Sequence, residues 1–370
     1  MTDKTANQRI GVGIVGANVE QGWAARAHIP ALRSLDGFAI TGVCTTRRES
    51  AERAAAELGG QPFIDAGELA RAGGVDLVTV SVKVPEHAAA VIPALEAGKP
   101  VFCEWPLGRT TEEAERLAKL ARSRGVLDVV GLQARGSPEL QYVRDLIADG
   151  YVGKATSISV YCATPHWSDV VGNRHMADAS LGVTLLAIPG GHTLDALSMI
   201  LGDDLEQVQA IVEGKRTRAR LAATGESLPL ATPDHVAVLG RYAGGAILSA
   251  QFLGGSRRPS QTAIFIDGED GSLTLEMEGL VQSGLIRIAG VRGGGGAPEI
   301  LAPPRADAPA PHAPAGPPFN VAQMYVRLAG ELGGAQRTLP DFDHAVRLHR
   351  LLDAISEAAA SGRKVEVPSR

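Results

Sequence analysis

The chain has 370 residues, 45% of them hydrophobic and 21% charged, with a formal net charge of −5. That size and composition predict two soluble domains with a large core, and an acidic balance without a dense basic run argues against a nucleic-acid partner. Met1 to Arg9 is short and polar, no later stretch reaches about 18 consecutive apolar residues, and Cys44, Cys103 and Cys162 lie far apart without metal spacing; together these predict a cytoplasmic protein with reduced thiols, no metal and no membrane partner.

The chain opens on R-I-G-V-G-I-V-G-A-N-V-E-Q-G-W, Arg9 to Trp23. Ile10 to Val15 is a short apolar run rich in β-branched residues, as a parallel strand covered on both faces requires. Gly16, Asn18 and Gly22 punctuate the turn that follows, and a helix starts near Trp23. A strand that turns into a helix N-terminus presents free N–H groups and the positive end of the helix dipole to an anion. In a Rossmann domain that anion is a dinucleotide pyrophosphate. The literal G-x-G-x-x-G, Gly11, Gly13 and Gly16, falls inside the strand, so the working turn is Gly16-x-Asn18 with Gly22 further on. Asn tolerates left-handed backbone angles and is expected to stand where a second glycine normally does. An ordinary strand-to-helix turn is the alternative.

Strand and helix then alternate. Strands are expected at Phe38–Thr45, Val75–Val82, Pro100–Trp105 and Val126–Gln133, and helices at Glu49–Leu58, Pro85–Ala97 and Thr110–Arg124. The last helix opens on a T-x-x-E cap. This alternation predicts an α/β fold, a doubly wound parallel Rossmann sheet over residues 1–134. A helix at Pro138–Ala148 precedes a change of pattern. Strands at Ala155–Cys162, Leu205–Gly214, His235–Tyr242, Ala246–Phe252, Ala263–Asp267, Ser272–Met277 and Leu285–Ile288 are joined in part by short glycine turns. That is hairpin chemistry, and it predicts an α+β domain over 135–370 with an open, mostly antiparallel sheet. Gly293–Pro318 is dense in Gly, Pro and Ala and is expected to be a flexible loop. Asn320–Gly333 and Phe342–Ala360 read as closing helices.

The second strand ends in Thr45-Thr46-Arg47-Arg48, with no carboxylate before Glu49. An acidic residue there would bind a ribose 2′-hydroxyl, whereas Arg accommodates a 2′-phosphate. Thr46, Arg47 and Arg48 therefore favour NADP over NAD, unless the two arginines are only a solvated turn. The third strand ends with Ser81, Lys83 and His87 at the edge where ligands bind. The fourth ends with Glu104, Trp105 and Pro106. Glu104 is a candidate contact to the nicotinamide ribose, or else a cap or ion pair.

The glycine loop, A-G-K-P-V-F-C-E-W-P-L at Ala97–Leu107 and G-G-H-T-L-D at Gly190–Asp195 resemble the glucose–fructose oxidoreductase/inositol dehydrogenase/MocA (Gfo/Idh/MocA) family. The resemblance implies an N-terminal Rossmann domain and a C-terminal domain with an open sheet. It also implies an E-K-P motif whose Lys acts on the substrate hydroxyl, and a D-x-G-x-H-x-x-D motif whose His is the acid/base. The chain departs at both: Trp105 replaces the Lys and Ile188 the first Asp. The likeness extends to the galactose-pathway repressor subfamily, a non-enzymatic branch that binds a nicotinamide dinucleotide. Trp after the motif Glu, G-W in the loop, L-Q-A-R-G-S-P at Leu132–Pro138, L-I-A-D-G-Y-V-G at Leu146–Gly153 and P-D-H at Pro233–His235 carry it.

By this resemblance His192 and Asp195 are the catalytic candidates. His192 would be the acid/base, or a hydrogen-bonded core residue; Asp195 would orient it, or cap the helix. Trp23, Gln133 and Arg135 join Gly16, Asn18, Gly22, Ser81, Lys83, His87, Glu104 and Trp105 on the cofactor side. His166, Trp167, Arg174 and His175 form a polar loop that would line a sugar pocket or lie on the surface. The function implied is NAD(P)-dependent hydride transfer on a sugar or sugar derivative. A non-catalytic dinucleotide-binding regulator is the alternative, favoured by loss of the Lys and the Asp. A homodimer or homotetramer through the open sheet face is expected, since that face has no plainly polar side.

Overall fold

The computed structural model describes residues 9–303 and 309–368; residues 1–8, 304–308 of the Gly/Pro/Ala stretch and 369–370 lie outside the described residues. The chain divides into two compact units, 9–132 with 309–346, and 133–303 with 347–368.

The first unit holds six strands: β1 (Ile10–Val15), β2 (Phe38–Cys44), β3 (Gln61–Phe63), β4 (Leu77–Val80), β5 (Val101–Glu104) and β6 (Asp128–Gly131). All pair in parallel, in the order β3-β2-β1-β4-β5-β6. The order reverses between β1 and β4, which makes their carboxyl ends the switch point where such sheets bind ligands. A π-helical turn, Ala24–His28, runs into α1 (Ile29–Arg33); α2 (Arg48–Leu58), α3 (Ala66–Arg71), α4 (His87–Glu96) and α5 (Thr111–Arg124) follow. Thr110 caps α5 by accepting from the Glu113 N–H at 3.3 Å. Gly13 is a packing glycine inside β1: a Cβ there would lie 2.5 Å from Leu69 Cδ2 of α3. The short β3 and α3 have no counterpart in the predicted elements. β3 is a three-residue edge strand carrying Pro62, too brief for a period to show.

The second unit opens on α6 (Pro138–Ala148), capped by Ser137. Its strands are β7 (Ala155–Ala163), β8 (Val170–Val171), β9 (Leu205–Glu213), β10 (Arg218–Leu221), β11 (Ser227–Pro229), β12 (His235–Tyr242), β13 (Ile247–Leu253), β14 (Gln261–Gly268), β15 (Gly271–Glu278), β16 (Leu285–Arg292), β17 (Glu299–Leu301) and β18 (Val365–Glu366). Nine of them form one sheet in the order β17-β16-β15-β14-β7-β13-β12-β9-β18. Only β7 and β13 run parallel, with Ile247 opposite Ser157. One face is buried through Ile158, Val160, Val236, Val238, Leu248, Phe252, Ile264 and Ile266. The other leaves Ile211, Leu239, Ile247 and Phe265 exposed among Ser, Ala and Gln. β8, β10 and β11 form a separate small sheet over Val171, Ala177, Ala219, Leu228 and Leu230. The run Ala179–Leu201, which ends in α7 (Gly191–Leu201), is apolar and long enough to cross a membrane, yet 67% of its 18-residue apolar window is buried as core.

Where composition predicts two continuous blocks, the chain instead returns to the first unit. α8 (Pro317–Leu332) supplies Val321, Met324, Tyr325 and Leu328 to the core that holds Ala24, Ala27, Leu32 and Phe38. The strap before it is pinned by Gln323, whose amide pairs with both Ala310 backbone groups at 2.8 and 3.0 Å. The chain leaves the first unit for the second time within α9 (Phe342–Ser361).

Candidate functional site

The carboxyl ends of the first unit's strands gather Gly16, Thr46, Arg47, Arg48, Ser81 and Glu104 along one sheet edge. Gly16 has φ +93°, and a Cβ there would sit 2.4 Å from the Ser81 carbonyl oxygen. Its role is therefore the close approach of β1 to the end of β4, with a backbone angle that only glycine adopts cheaply. Gly22, at φ +95°, has open space around it. Asn18 corrects the reading of the loop. Among the described residues Trp167 is the one non-glycine with positive φ, so Asn18 does not stand in for a left-handed glycine. Its Oδ1 accepts instead from the Glu20 and Gln21 N–H groups, at 2.8 and 3.1 Å. The loop is held by a side-chain turn rather than by a second glycine.

Two buried donors at this edge have no hydrogen-bond partner, Trp23 Nε1 and Ser81 Oγ. Buried polar atoms are normally satisfied, so these two fit a polar ligand, and a dinucleotide phosphate or ribose is one. Thr46, Arg47, Arg48 and Lys83 are exposed. Arg48 Nη1 lies 4.0 Å from the carboxylate of Glu52, itself exposed. His87, in contrast, is buried; its Nε2 lies 3.3 Å from the Val82 carbonyl, and burial holds its pKa below the usual range. Trp105 is buried too, and its bond to Pro106 is cis.

Glu104 ends a chain of buried polar groups. Its Oε1 lies 2.8 Å from His28 Nε2; His28 Nδ1 lies 2.8 Å from the Tyr325 hydroxyl; that hydroxyl lies 2.9 Å from Thr79 Oγ1. His28, Tyr325 and Thr79 are fully buried, whereas the Glu104 side chain keeps 12% exposure. Burial pushes the Tyr325 hydroxyl up, so it stays protonated. His28 and Tyr325 escape a reading by motif. They stand on a helix flank and on a C-terminal helix, 297 positions apart in the sequence.

In the second unit α7 carries His192 and Asp195 one turn apart, both buried. Asp195 takes a bidentate grip from Arg135, with Nε at 2.9 and 3.0 Å and Nη2 at 2.8 Å. The ion pair joins a residue expected on the cofactor side, Arg135, to one expected beside His192, Asp195. Gln133, on the same short 3-10 turn as Arg135, is buried. His192 Nδ1 is buried without a partner. Desolvation lowers its pKa to about 4, partly opposed by the Asp195 charge, so the imidazole is neutral at pH 7. The polar loop splits. Trp167 is buried, with Nε1 donating to the Val183 carbonyl at 3.3 Å, while His166 and Arg174 are exposed. Arg174 pairs with Glu226. Among the described residues no cluster of His, Cys, Asp and Glu has metal-binding geometry.

Residues 10–132 match the family model described as "Oxidoreductase family, NAD-binding Rossmann fold", and residues 138–277 match "Gal80p, C-terminal domain". The galactose/lactose metabolism regulatory protein of Saccharomyces cerevisiae is 29% identical over 290 residues, covering 72% of this chain and 66% of its own length. The dTDP-3,4-didehydro-2,6-dideoxy-alpha-D-glucose 3-reductase of Actinomadura kijaniata is 32% identical over 211 residues, covering 56% of this chain and 61% of its own. The chain thus spans less than two thirds of either relative. Among solved structures, a super-repressor mutant of the Saccharomyces cerevisiae protein superposes with TM-score 0.86 at 24% identity, covering 97% of this chain and 98% of that one.

Proposed function

For a chain that belongs to the Gfo/Idh/MocA family, we propose an NAD(P)-dependent oxidoreductase acting on a sugar or sugar derivative. A nicotinamide dinucleotide, when bound, supplies or accepts the hydride. The observation that carries the proposal is His192, a buried imidazole held neutral with an unpartnered Nδ1. A neutral imidazole takes a hydroxyl proton as the substrate is oxidised and returns it on reduction. Trp105 cannot do this, since an indole has one N–H and no charge; it offers a flat face for stacking. Gly16, Gly22, Trp23 and Ser81 are assigned to the dinucleotide, and Arg47 and Arg48 to a 2′-phosphate, which makes NADP the preferred form. A charge-assisted bond of that kind is worth about 1.5–3 kcal/mol, or roughly tenfold to a hundredfold in affinity. The open sheet face, with Ile211, Leu239, Ile247 and Phe265 exposed, is assigned to a second copy of the chain. Three buried free thiols suit a reducing cytoplasm.

The test is a turnover screen across sugars, polyols and sugar acids, followed by nicotinamide absorbance. His192→Ala is expected to cut turnover by roughly 10²–10⁴-fold while dinucleotide affinity stays within a few-fold. Turnover that survives the change would remove His192 from the role. Trp105→Lys alone is expected not to raise turnover, because Ile188 leaves the other half of the family's site unrestored. Equal affinities for NAD and NADP, unchanged in Arg47→Ala and Arg48→Ala, would refute the NADP preference. A monomer in light scattering would refute the oligomer.

A second reading keeps its place because Trp105 and Ile188 replace the family's two other polar groups and residues 138–277 match the Gal80p domain. On that reading the protein binds a dinucleotide as a non-catalytic sensor. Tight dinucleotide binding with no turnover on any member of the panel would favour it.

A further inference from the structure

The chain Thr79–Tyr325–His28–Glu104 draws on four separate elements of the first unit: β4, α8, the turn after the glycine loop and β5. Three of its four members are fully buried, where apolar side chains would pack without desolvation cost. The three contacts that link its members are 2.8–2.9 Å long, and a matched buried network fixes one geometry. The member it fixes is the only one that reaches solvent, at the carboxyl edge of the sheet. We infer that His28, backed by Tyr325 and Thr79, is a positioning residue that presents Glu104 to the nicotinamide-side ribose of the dinucleotide. This rests on the dinucleotide-binding part of the function proposed above. With the Tyr325 hydroxyl donating to His28 Nδ1, the His28 Nε2–H donates to Glu104 Oε1. The Glu104 carboxylate, which has several lone pairs, accepts in addition from a ribose hydroxyl. Because His28 ends the helical turn that follows the loop, the same contact ties loop and carboxylate together.

The experiment measures affinity of the full-length protein for NAD, NADP and ADP by titration calorimetry, in wild type, His28→Leu, Tyr325→Phe, Glu104→Gln and the His28→Leu/Glu104→Gln pair. ADP occupies the adenine and phosphate half and never reaches Glu104. Both single changes at His28 and Glu104 are expected to weaken NAD and NADP about tenfold and ADP less than twofold. The double variant is expected to be no weaker than the worse single one, and Tyr325→Phe to lose about threefold. A helix merely destabilised by His28→Leu would weaken ADP equally, which would overturn the inference, as would unchanged NAD affinity in His28→Leu or additive losses in the pair. If Tyr325→Phe does not fold, the His28/Glu104 cycle decides alone. A wild type that binds ADP and NAD with equal affinity overturns the positioning role while leaving dinucleotide binding standing. A wild type that binds none of the three overturns the cofactor reading itself.

Discussion

Two imidazoles lie buried in this protein, one in each unit, and they are used in opposite ways. His28 has both ring nitrogens within 2.8 Å of a partner, the Tyr325 hydroxyl on one side and the Glu104 carboxylate on the other. His192 has an Nδ1 with no partner, and desolvation lowers its pKa to about 4. The difference separates a group that holds geometry from a group left available for a proton. Burial alone does not distinguish them; the completeness of the hydrogen bonding does.

The largest expected effect comes from the ion pair beside the available imidazole. Asp195 is 2% exposed and is paired with Arg135. Arg135→Ala takes the bidentate guanidinium from a buried carboxylate, and breaking such a pair costs about 3–5 kcal/mol. Urea denaturation is expected to show that loss. It is also expected to raise the His192 pKa above about 4, because the Asp195 charge favours imidazolium more strongly once Arg135 no longer offsets it. Nuclear magnetic resonance titration of the His192 ring reads the second effect. A stability change below about 1 kcal/mol would mean that Asp195 finds another partner and that the pair does little to hold α7.

The glycine loop gives the next effect. In Gly16→Val a Cβ would press on the Ser81 carbonyl at a positive φ, so strain and overpacking add to about 3 kcal/mol. Dinucleotide binding is expected to fall with it, by collapse of the β1–β4 edge rather than by direct blockage of a phosphate. Gly22→Ala meets no atom within 4 Å and pays only the backbone penalty, about 1 kcal/mol. If the two variants are equally destabilised, the Ser81 contact is not what Gly16 is for.

His192 also sets a pH dependence. Its folded pKa of about 4 lies below the ordinary 6.5, so between those values the unfolded chain binds the proton and the folded one does not. Stability from this group is fully present above pH 6.5 and is lost as pH falls towards 4, by up to about 3 kcal/mol. His192→Leu removes the titrating group, and its stability curve is expected to flatten over that window. An unchanged slope in the variant would show that the imidazole is already solvated in the native state.

Much of this was legible in residues. The parallel sheet showed itself through β-branched runs alternating with helical stretches, and the carboxyl-edge positions of Gly16, Ser81 and Glu104 followed from strand order. The Thr110 cap did as well. What escaped has a common cause. β8, β10 and β11 are two to four residues long and carry no period. The return of α8 to the first unit, and with it Tyr325 beside His28, is set by tertiary packing that no local pattern records. Arg135 and Asp195 are 60 residues apart, and each was assigned by its own motif. The pairing between them is visible only in space.

Asn18 offers the smallest effect and the sharpest distinction, because the two roles considered for it predict opposite results. If Asn18 served as a left-handed residue, Asn18→Gly would be neutral or stabilising, since glycine takes positive φ without strain. The structure instead makes its side-chain oxygen the acceptor for the Glu20 and Gln21 N–H groups. Removing that oxygen costs about 1 kcal/mol, the usual value of a side-chain cap. Asn18→Gly and Asn18→Ala are therefore both expected to destabilise the loop. Asn18→Asp, which keeps the acceptor, is expected to be near neutral for stability; its charge, placed in a loop proposed to hold a pyrophosphate, is expected to weaken dinucleotide binding. The measurement is thermal unfolding with and without dinucleotide for all three variants. A stable Asn18→Gly would return the loop to the glycine-like role. Loss of ligand-induced stabilisation in Asn18→Asp alone would place the anion beside this side chain, on the first unit's edge where His28 fixes Glu104.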